Sequence, residues 1–348
     1  MAKTALAVKY RPDNWDSVVE QDSTKVILQQ QLASGEFQHS YLFVGGAGTG
    51  KTTCARIFAN EINEHKGNPI ELDAASNNGV EDVRNIIQQA KTKSLDSEYK
   101  IFIIDECHSL SGTAWQAFLK LIEEPPAKSI FIFCTTNPEK IPKTILSRVQ
   151  RYDFKRISQQ GIVNRLVYIL SEEYPTKTSK NDVGISVDKE AVEYLSKLAD
   201  GGMRDAITLM DKCLSYNTDL TLDNVVKALG VADYDIMRKL TNALVYSNAP
   251  SIIEIIERVH NEGKDLKQFI RQYLDFVLDI KKWIILESFD YIQIPQVEEN
   301  KYFLEDMSKE YDRISDLLDT LLRLNAEIKY DSSPKYMIEA VLIGGINE

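Results

Sequence analysis

The sequence of 348 residues has few cysteines, few histidines, no long apolar run and no excess of positive charge. Its four cysteines, Cys54, Cys107, Cys134 and Cys213, stand far apart, so neither a disulfide framework nor a zinc ligand set is signalled. That usage suits a reducing compartment. The opening MAKTALAVKYRPDNW offers only a short apolar run before Lys9, Tyr10 and Arg11, too short for the core of a secretory signal. No stretch approaches the roughly 20 apolar residues that span a bilayer, and IFIID at 101–105 and WIIL at 283–286 read as buried segments. A soluble, cytoplasmic protein with no membrane partner is therefore expected. A formal net charge of −11 excludes wrapping nucleic acid with the whole surface, because such binding sets many Lys and Arg against phosphates. Any DNA contact is expected to be local.

What the chain does have is apolar matter in two different rhythms. The first half alternates β-type runs, YLFVGG at 41–46, IELDA at 70–74, KIFIIDE at 100–106 and SIFIFCTT at 129–136, with helical spacing over 51–65, 79–93 and 111–124. Short, nearly all-apolar strands separated by helices predict an α/β domain with a doubly wound parallel sheet. From about residue 158 the β-type runs cease and the pattern is helical. A polar connection at 177–186 and helices over 188–216 and 222–229 predict a small lid, and long amphipathic patterns follow over 250–262, 265–287 and 304–330. The expected domains are 1–157, 158–231 and 232–348.

One motif carries explicit chemistry. Gly45-Gly46-Ala47-Gly48-Thr49-Gly50-Lys51-Thr52 fits the phosphate-loop pattern and sits between a predicted strand and a predicted helix, the context the motif requires. Glycines let backbone N–H groups close around phosphate oxygens, and the helix N-terminus adds partial positive charge. Lys51 is expected to reach the β and γ phosphates of ATP, and Thr52 to offer its hydroxyl to Mg²⁺. IFIIDECH at 101–108 ends an apolar strand in two acids, of which Asp105 is expected on the metal side and Glu106 as the base that polarises the attacking water.

Asp105-Glu106-Cys107-His108 also matches the DExH box of a helicase superfamily. Such a helicase needs a second α/β lobe that contributes arginines across the cleft, and 158–348 has no strand rhythm from which to build one. His108 has no His or Cys at ligand spacing, so it reads as a structural or coupling residue and not as a metal ligand.

Further blocks, taken in order, resemble the clamp loader branch of the AAA+ ATPases, and most of all the bacterial gamma/tau chain of DNA polymerase III. They are Lys9-Tyr10-Arg11-Pro12, Val18-Val19-Glu20-Gln21, the phosphate loop, Leu72-Asp73-Ala74-Ala75-Ser76, Val80-Glu81-Asp82-Val83-Arg84 and the Asp105 box. Then come Leu119 to Pro126, Thr135-Thr136-Asn137-Pro138, Ile145-Leu146-Ser147-Arg148 and Gly202-Met203-Arg204-Asp205-Ala206. The blocks span about 8–215; the last third is similar only in being helical.

The resemblance implies a RecA-like AAA+ domain, a helical lid and a helical collar that oligomerises. It implies that Tyr10, Arg11, Pro12, Val18 and Val19 fold over the nucleotide, with Thr53 continuing the phosphate loop. Thr136, in preference to Thr135, falls at the sensor 1 position. Arg148 falls where clamp loaders send an arginine finger into a neighbouring subunit's ATP site, with Val149 in place of the usual Cys. Arg204 falls at sensor 2, contacting phosphates in cis.

The implied partners are a sliding clamp, other loader subunits in a pentamer with several copies of this chain, and primer–template DNA. Arg84, Lys91 and Lys93 are candidates for local phosphate contacts, although a solvated charged face reads better for each. NEINEHKGNP at 60–69 stands where the family inserts a four-cysteine zinc module, so ATP and Mg²⁺ are expected and zinc is not. The chain also ends soon after the expected collar, which implies a form without the tail that binds polymerase and helicase. Two other readings remain open on the residues. One is a different AAA+ remodeller, of the Holliday-junction or unfoldase type; the other is a scaffold resembling the delta-prime subunit, against which intact Lys51, Thr52, Asp105 and Glu106 argue.

Overall fold

The computed structural model describes residues 4–94, 96–174, 185–229, 232–331 and 333–344. The predicted polar connection at 177–186 falls outside these residues except for Ile185 and Ser186, as does residue 231 at a predicted domain boundary. Contacts divide the chain into two compact units, Met1–Asp219 and Leu220–Glu348, so the segment 158–231 is shared between them.

The first unit begins with a one-turn helix α1 (Leu6–Lys9) and α2 (Asp22–Ser34). There follow β1 (Ser40–Gly45), α3 (Lys51–Ile62), β2 (Ile70–Asp73), α4 (Val80–Ala90), β3 (Lys100–Asp105), α5 (Gly112–Glu123), β4 (Ser129–Thr135), the short α6 (Lys143–Leu146) and β5 (Gln150–Phe154). The strands form one parallel sheet in the order β2-β3-β4-β1-β5. Parallel neighbours need crossover connections, which α3, α4 and α5 supply.

Because alternate side chains leave a strand on opposite faces, the sheet builds two cores. Leu42, Phe102, Phe131 and Phe133 pack with Trp115 and Phe118 of α5. Tyr41, Phe43, Ile103 and Ile132 pack with Ile57 and Phe58 of α3 and with Leu28 of α2. Burial on both faces is why β1, β3 and β4 read as continuous apolar runs.

Strand β5 has no such run. Gln150, Arg151 and Asp153 are exposed at the sheet edge, and Tyr152 and Phe154 alone turn inward. Its pairing with β1 demands glycine at the end of β1, because a Cβ on Gly45 would lie 2.5 Å from the Phe154 carbonyl oxygen and 2.8 Å from its Cβ. Gly45→Ala is therefore expected to destabilise the first unit by about 1–3 kcal/mol, the usual range for forced overpacking. Urea unfolding followed by tryptophan fluorescence measures it, and an unshifted midpoint would refute the argument.

The unit closes with α7 (Gln159–Glu173), α8 (Lys189–Leu198) and α9 (Met203–Tyr216), which pack on one another. The Ser158 hydroxyl caps α7 by accepting from Gly161 N–H at 3.0 Å.

The second unit is helical among its described residues: α10 (Leu222–Ala228), α11 (Ala232–Val245), α12 (Ala249–Asn261), α13 (Leu266–Leu286), α14 (Glu298–Met307), α15 (Tyr311–Glu327) and α16 (Pro334–Gly344), with short 3₁₀ turns between some of them. Its core includes Tyr273, Phe276 and Ile280 of α13 and Leu321 and Leu324 of α15. The single run expected over 304–330 is in fact two helices, since α14 stops at Met307 and a 3₁₀ turn, Ser308–Glu310, precedes α15. Buried Phe303, Leu304 and Met307 are followed by Ile314, Leu317 and Leu321, so the apolar period bridges the break and hides it. Among the described residues no helix is long and apolar enough to cross a membrane.

Candidate active site

The loop after β1 turns on glycines that adopt left-handed backbone, with φ +68° at Gly48 and +101° at Gly50, and it delivers the chain into α3 at Lys51. The first N–H groups of a helix have no partner within it, so the loop ends at a natural anion site. The start of α9 lies directly against this loop. Met203 N–H donates to the Gly48 carbonyl at 3.0 Å, and a Cβ on Gly48 would stand 3.0 Å from the Gly202 Cα.

Lys51 is buried, and its ammonium donates to the carbonyls of Gly45 at 2.9 Å and Gly46 at 2.7 Å. An ammonium has three donors, so one is left without a protein partner among the described residues. Burial lowers the Lys51 pKa, with Cys134, Glu106 and Asp105 acting the other way. A buried cation with a spare donor at a helix N-terminus fits an anion of the phosphate type.

Two carboxylates face this cation from the end of β3. Asp105 accepts from the Thr52 hydroxyl at 2.8 Å, the pair expected to hold Mg²⁺. No cluster of three or more His, Cys, Asp or Glu suited to a metal occurs among the described residues. The Thr52–Asp105 pair fits magnesium in particular, which takes few protein ligands and completes its shell with water and phosphate. Glu106, in a left-handed conformation with φ 47°, accepts from the Thr136 hydroxyl at 3.1 Å. Thr135 is wholly buried and accepts from Asn137 N–H at 3.0 Å, so the structure separates the two threonines.

A cavity of about 450 Å³ opens over the loop. Its wall includes Ala47, Gly48, Thr49, Gly50, Lys51, Thr52 and Thr53, then Asp105 and Glu106. The N-terminal arm contributes Tyr10, Arg11, Pro12, Val18 and Val19, and α9 contributes Arg204. Gly45 and Gly46 stay beneath it as acceptors for Lys51, and Thr136 stands behind Glu106. Arg148 is elsewhere: half exposed, it pairs with Glu123 at 2.9 Å and donates to the Thr144 carbonyl at 2.7 Å. Arg84, Lys91 and Lys93 are exposed on and just after α4.

The partners that tie the N-terminal arm down, Glu173, Arg165, Asp211, Lys155 and Ser158, carried no functional signal in the sequence. The Tyr10 hydroxyl donates to Glu173 of α7 at 2.7 Å, and its pKa is pushed up to about 12 by burial and by that carboxylate. Arg165 of the same helix donates to the Tyr10 carbonyl at 3.1 Å, and Leu6 N–H donates to Asp211 of α9 at 3.1 Å. Buried Gln21 accepts from Lys155 N–H at 3.1 Å and donates to its carbonyl at 2.7 Å, while Glu20 accepts from Ser158 N–H at 3.1 Å. The arm is thus tied at many points to α7, α9 and the segment between β5 and α7.

Three family models match the chain. They describe the DNA polymerase III delta subunit over residues 70–158, the DNA polymerase III clamp loader subunit ATPase lid domain over 161–218, and domain III of DNA polymerase III subunits gamma and tau over 220–346. DNA polymerase III subunit tau of Bacillus subtilis is 34% identical, with 99% of this chain and 63% of the relative covered. The chain belongs to the gamma/tau family. Other members of that family are similar too: the gamma/tau subunit of Mycobacterium tuberculosis H37Rv at 32% over 82% of this chain and 51% of the relative, and tau of Escherichia coli K12 at 31% over 79% and 44%. The chain therefore spans between 44% and 63% of the length of these relatives. Among solved structures, the Thermotoga maritima RuvB Holliday junction branch migration motor shares the fold, with a TM-score of 0.52 at 18% identity over 74% of this chain and 86% of the other.

Proposed function

We propose that this gamma/tau family chain is an ATP-hydrolysing motor subunit of a DNA sliding-clamp loader. The observation that carries the reading is the single cavity in which the phosphate loop, both strand-end acids, the N-terminal arm and the lid arginine Arg204 meet. In this reading Lys51 and the loop N–H groups hold the phosphates, Thr52 and Asp105 hold Mg²⁺, and Tyr10, Arg11, Pro12, Val18 and Val19 enclose the nucleoside. Magnesium, when bound, neutralises charge on the transferred phosphoryl group. Glu106 polarises the attacking water, Thr136 fixes Glu106, Arg204 reads phosphate in cis, and Arg148 serves the site of a neighbouring subunit.

We assign residues 1–157 to the nucleotide domain, 158–231 to the lid and 232–348 to the oligomerising collar. The lid rests on the loop itself through Gly48 and Met203, which supports coupling of nucleotide state to lid angle. ATP would favour a spiral of several subunits, a pentamer with other loader chains, that opens the clamp and admits primer–template DNA. Loss of the γ-phosphate removes that bias and releases the clamp closed.

The test is a capture from native lysate with Glu106→Gln and ATP, a variant expected to bind nucleotide and stall before hydrolysis. A ring-shaped clamp and other loader subunits are expected by mass spectrometry, in a particle of five subunits. A closed six-membered ring with no clamp would replace this reading by that of an AAA+ remodeller.

A further inference from the structure

The Asp-Glu-Cys-His box leaves His108 without a task, yet its ring stands against the candidate base. His108 lies in a 3₁₀ turn, Cys107–Ser109, directly after Glu106. Backbone bonds hold that turn without help from the imidazole: Ser109 N–H donates to the Glu106 carbonyl at 2.9 Å and Leu110 N–H to the Cys107 carbonyl at 3.1 Å, while the Cys107 side chain is wholly buried. The ring is largely buried, and its Nδ1 lies 3.2 Å from Glu106 Oε2 and 3.2 Å from Thr135 Oγ1.

An ionised carboxylate only accepts, so an Nδ1 that carries its proton sets the positive end of its N–H dipole beside Glu106 Oε2 without an in-line hydrogen bond. The hydrogen bond of Nδ1 is with Thr135 Oγ1, which also accepts from Asn137 N–H. Oε2 thus accepts from the Thr136 hydroxyl at the end of β4 and has the His108 ring beside it from the 3₁₀ turn. Glu106 Oε1 has no protein partner among the described residues. A residue held in the left-handed region needs surroundings that over-determine its place, and the Thr136 hydroxyl together with the adjacent His108 ring supplies that constraint.

We propose that His108 is a positioning residue for Glu106: anchored on Thr135, its Nδ1 side lies against Oε2, which Thr136 holds, and Oε1 is left as the oxygen that takes the proton of the attacking water. The inference rests on the reading of Glu106 as the base. His108 touches neither nucleotide nor water in this role and acts through Glu106 alone.

The test compares three replacements in the full chain within its assembly, by steady-state ATP turnover. The side-chain amide of Asn can put an N–H close to the place of Nδ1, whereas that of Gln reaches toward Nε2. His108→Ala and His108→Gln are expected to lower kcat about tenfold, the usual scale for losing a group that orients a reacting residue. KM for ATP is expected to change less than about twofold, because ground-state binding is untouched. His108→Asn is expected to restore kcat to within about threefold of the wild type.

Gln turning over as fast as Asn, or all three variants losing turnover equally, overturns the proposal, since a packing role does not distinguish the two amides in this way. Glu106→Gln separates this inference from its premise. If that variant hydrolyses ATP like the wild type, the base assignment fails; if it is inert while His108→Ala is unimpaired, the positioning role alone fails.

Discussion

Arg148→Ala is expected to leave ATP binding by each chain intact and to lower hydrolysis in the assembled complex by about 10³, the scale of an arginine finger supplied in trans. The expectation starts from where Arg148 is not. It takes no part in the wall of its own chain's cavity, which already holds Lys51, Arg11 and Arg204. It lies half exposed, paired with an equally exposed Glu123 and donating to the Thr144 carbonyl. An exposed ion pair contributes only about 0–1 kcal/mol, so Glu123 can release the guanidinium when a neighbour's phosphates present more charge. Titration of a fluorescent ATP analogue reports binding, and phosphate release from the assembly reports turnover. Equal turnover in mutant and wild-type assemblies would remove Arg148 from the mechanism; weakened binding by the isolated mutant chain would instead give it a role in cis.

Parts of the site that depend on local sequence were legible before any coordinates. The phosphate loop needs glycine at fixed places, and β1, β3 and β4 are buried on both faces, so their residue types leave little choice. The edge strand β5, with polar residues at Gln150, Arg151 and Asp153, lacks that signature. Helix α2 was missed for a related reason: Val26 and Ile27 are exposed while Thr24 is buried, and the stripe that marks an amphipathic helix is blurred. Long-range ties are illegible in principle. Tyr10 reads as an aromatic wall, but its hydroxyl reaches Glu173 across 163 positions, and Gln21 reaches the backbone of Lys155 across 134. Backbone acceptors leave no trace in the pattern of side chains.

Lys51→Met is expected to abolish the stabilisation that ATP confers while leaving the nucleotide-free protein at least as stable as the wild type. The sign follows from burial. Burial sets the folded-state pKa of Lys51 below the value the unfolded chain would have. Between those two values the unfolded state binds more protons, so the contribution of Lys51 to stability rises with pH through that window, and its full penalty applies below it. The ammonium is thus a buried charge whose hydrogen-bond acceptors are the carbonyls of Gly45 and Gly46, with Glu106 and Asp105 offsetting only part of its desolvation. Methionine fills similar space without that charge.

An anion on the loop reverses the balance, because it favours the charged form. With MgATP at a hundredfold excess over Kd, the wild-type transition of the first unit should rise on the order of 5–10 °C, the shift that about 2.7 kcal/mol of linkage gives a unit of this size. Differential scanning fluorimetry across pH, with and without MgATP, measures both halves. A Lys51→Met chain with an undiminished ATP shift would show that the buried cation is not where phosphate binds, and one that melts well below the wild type would show that the ammonium stabilises the empty loop. With neither result, the same charge that strains the nucleotide-free loop is what makes the loop answer to ATP.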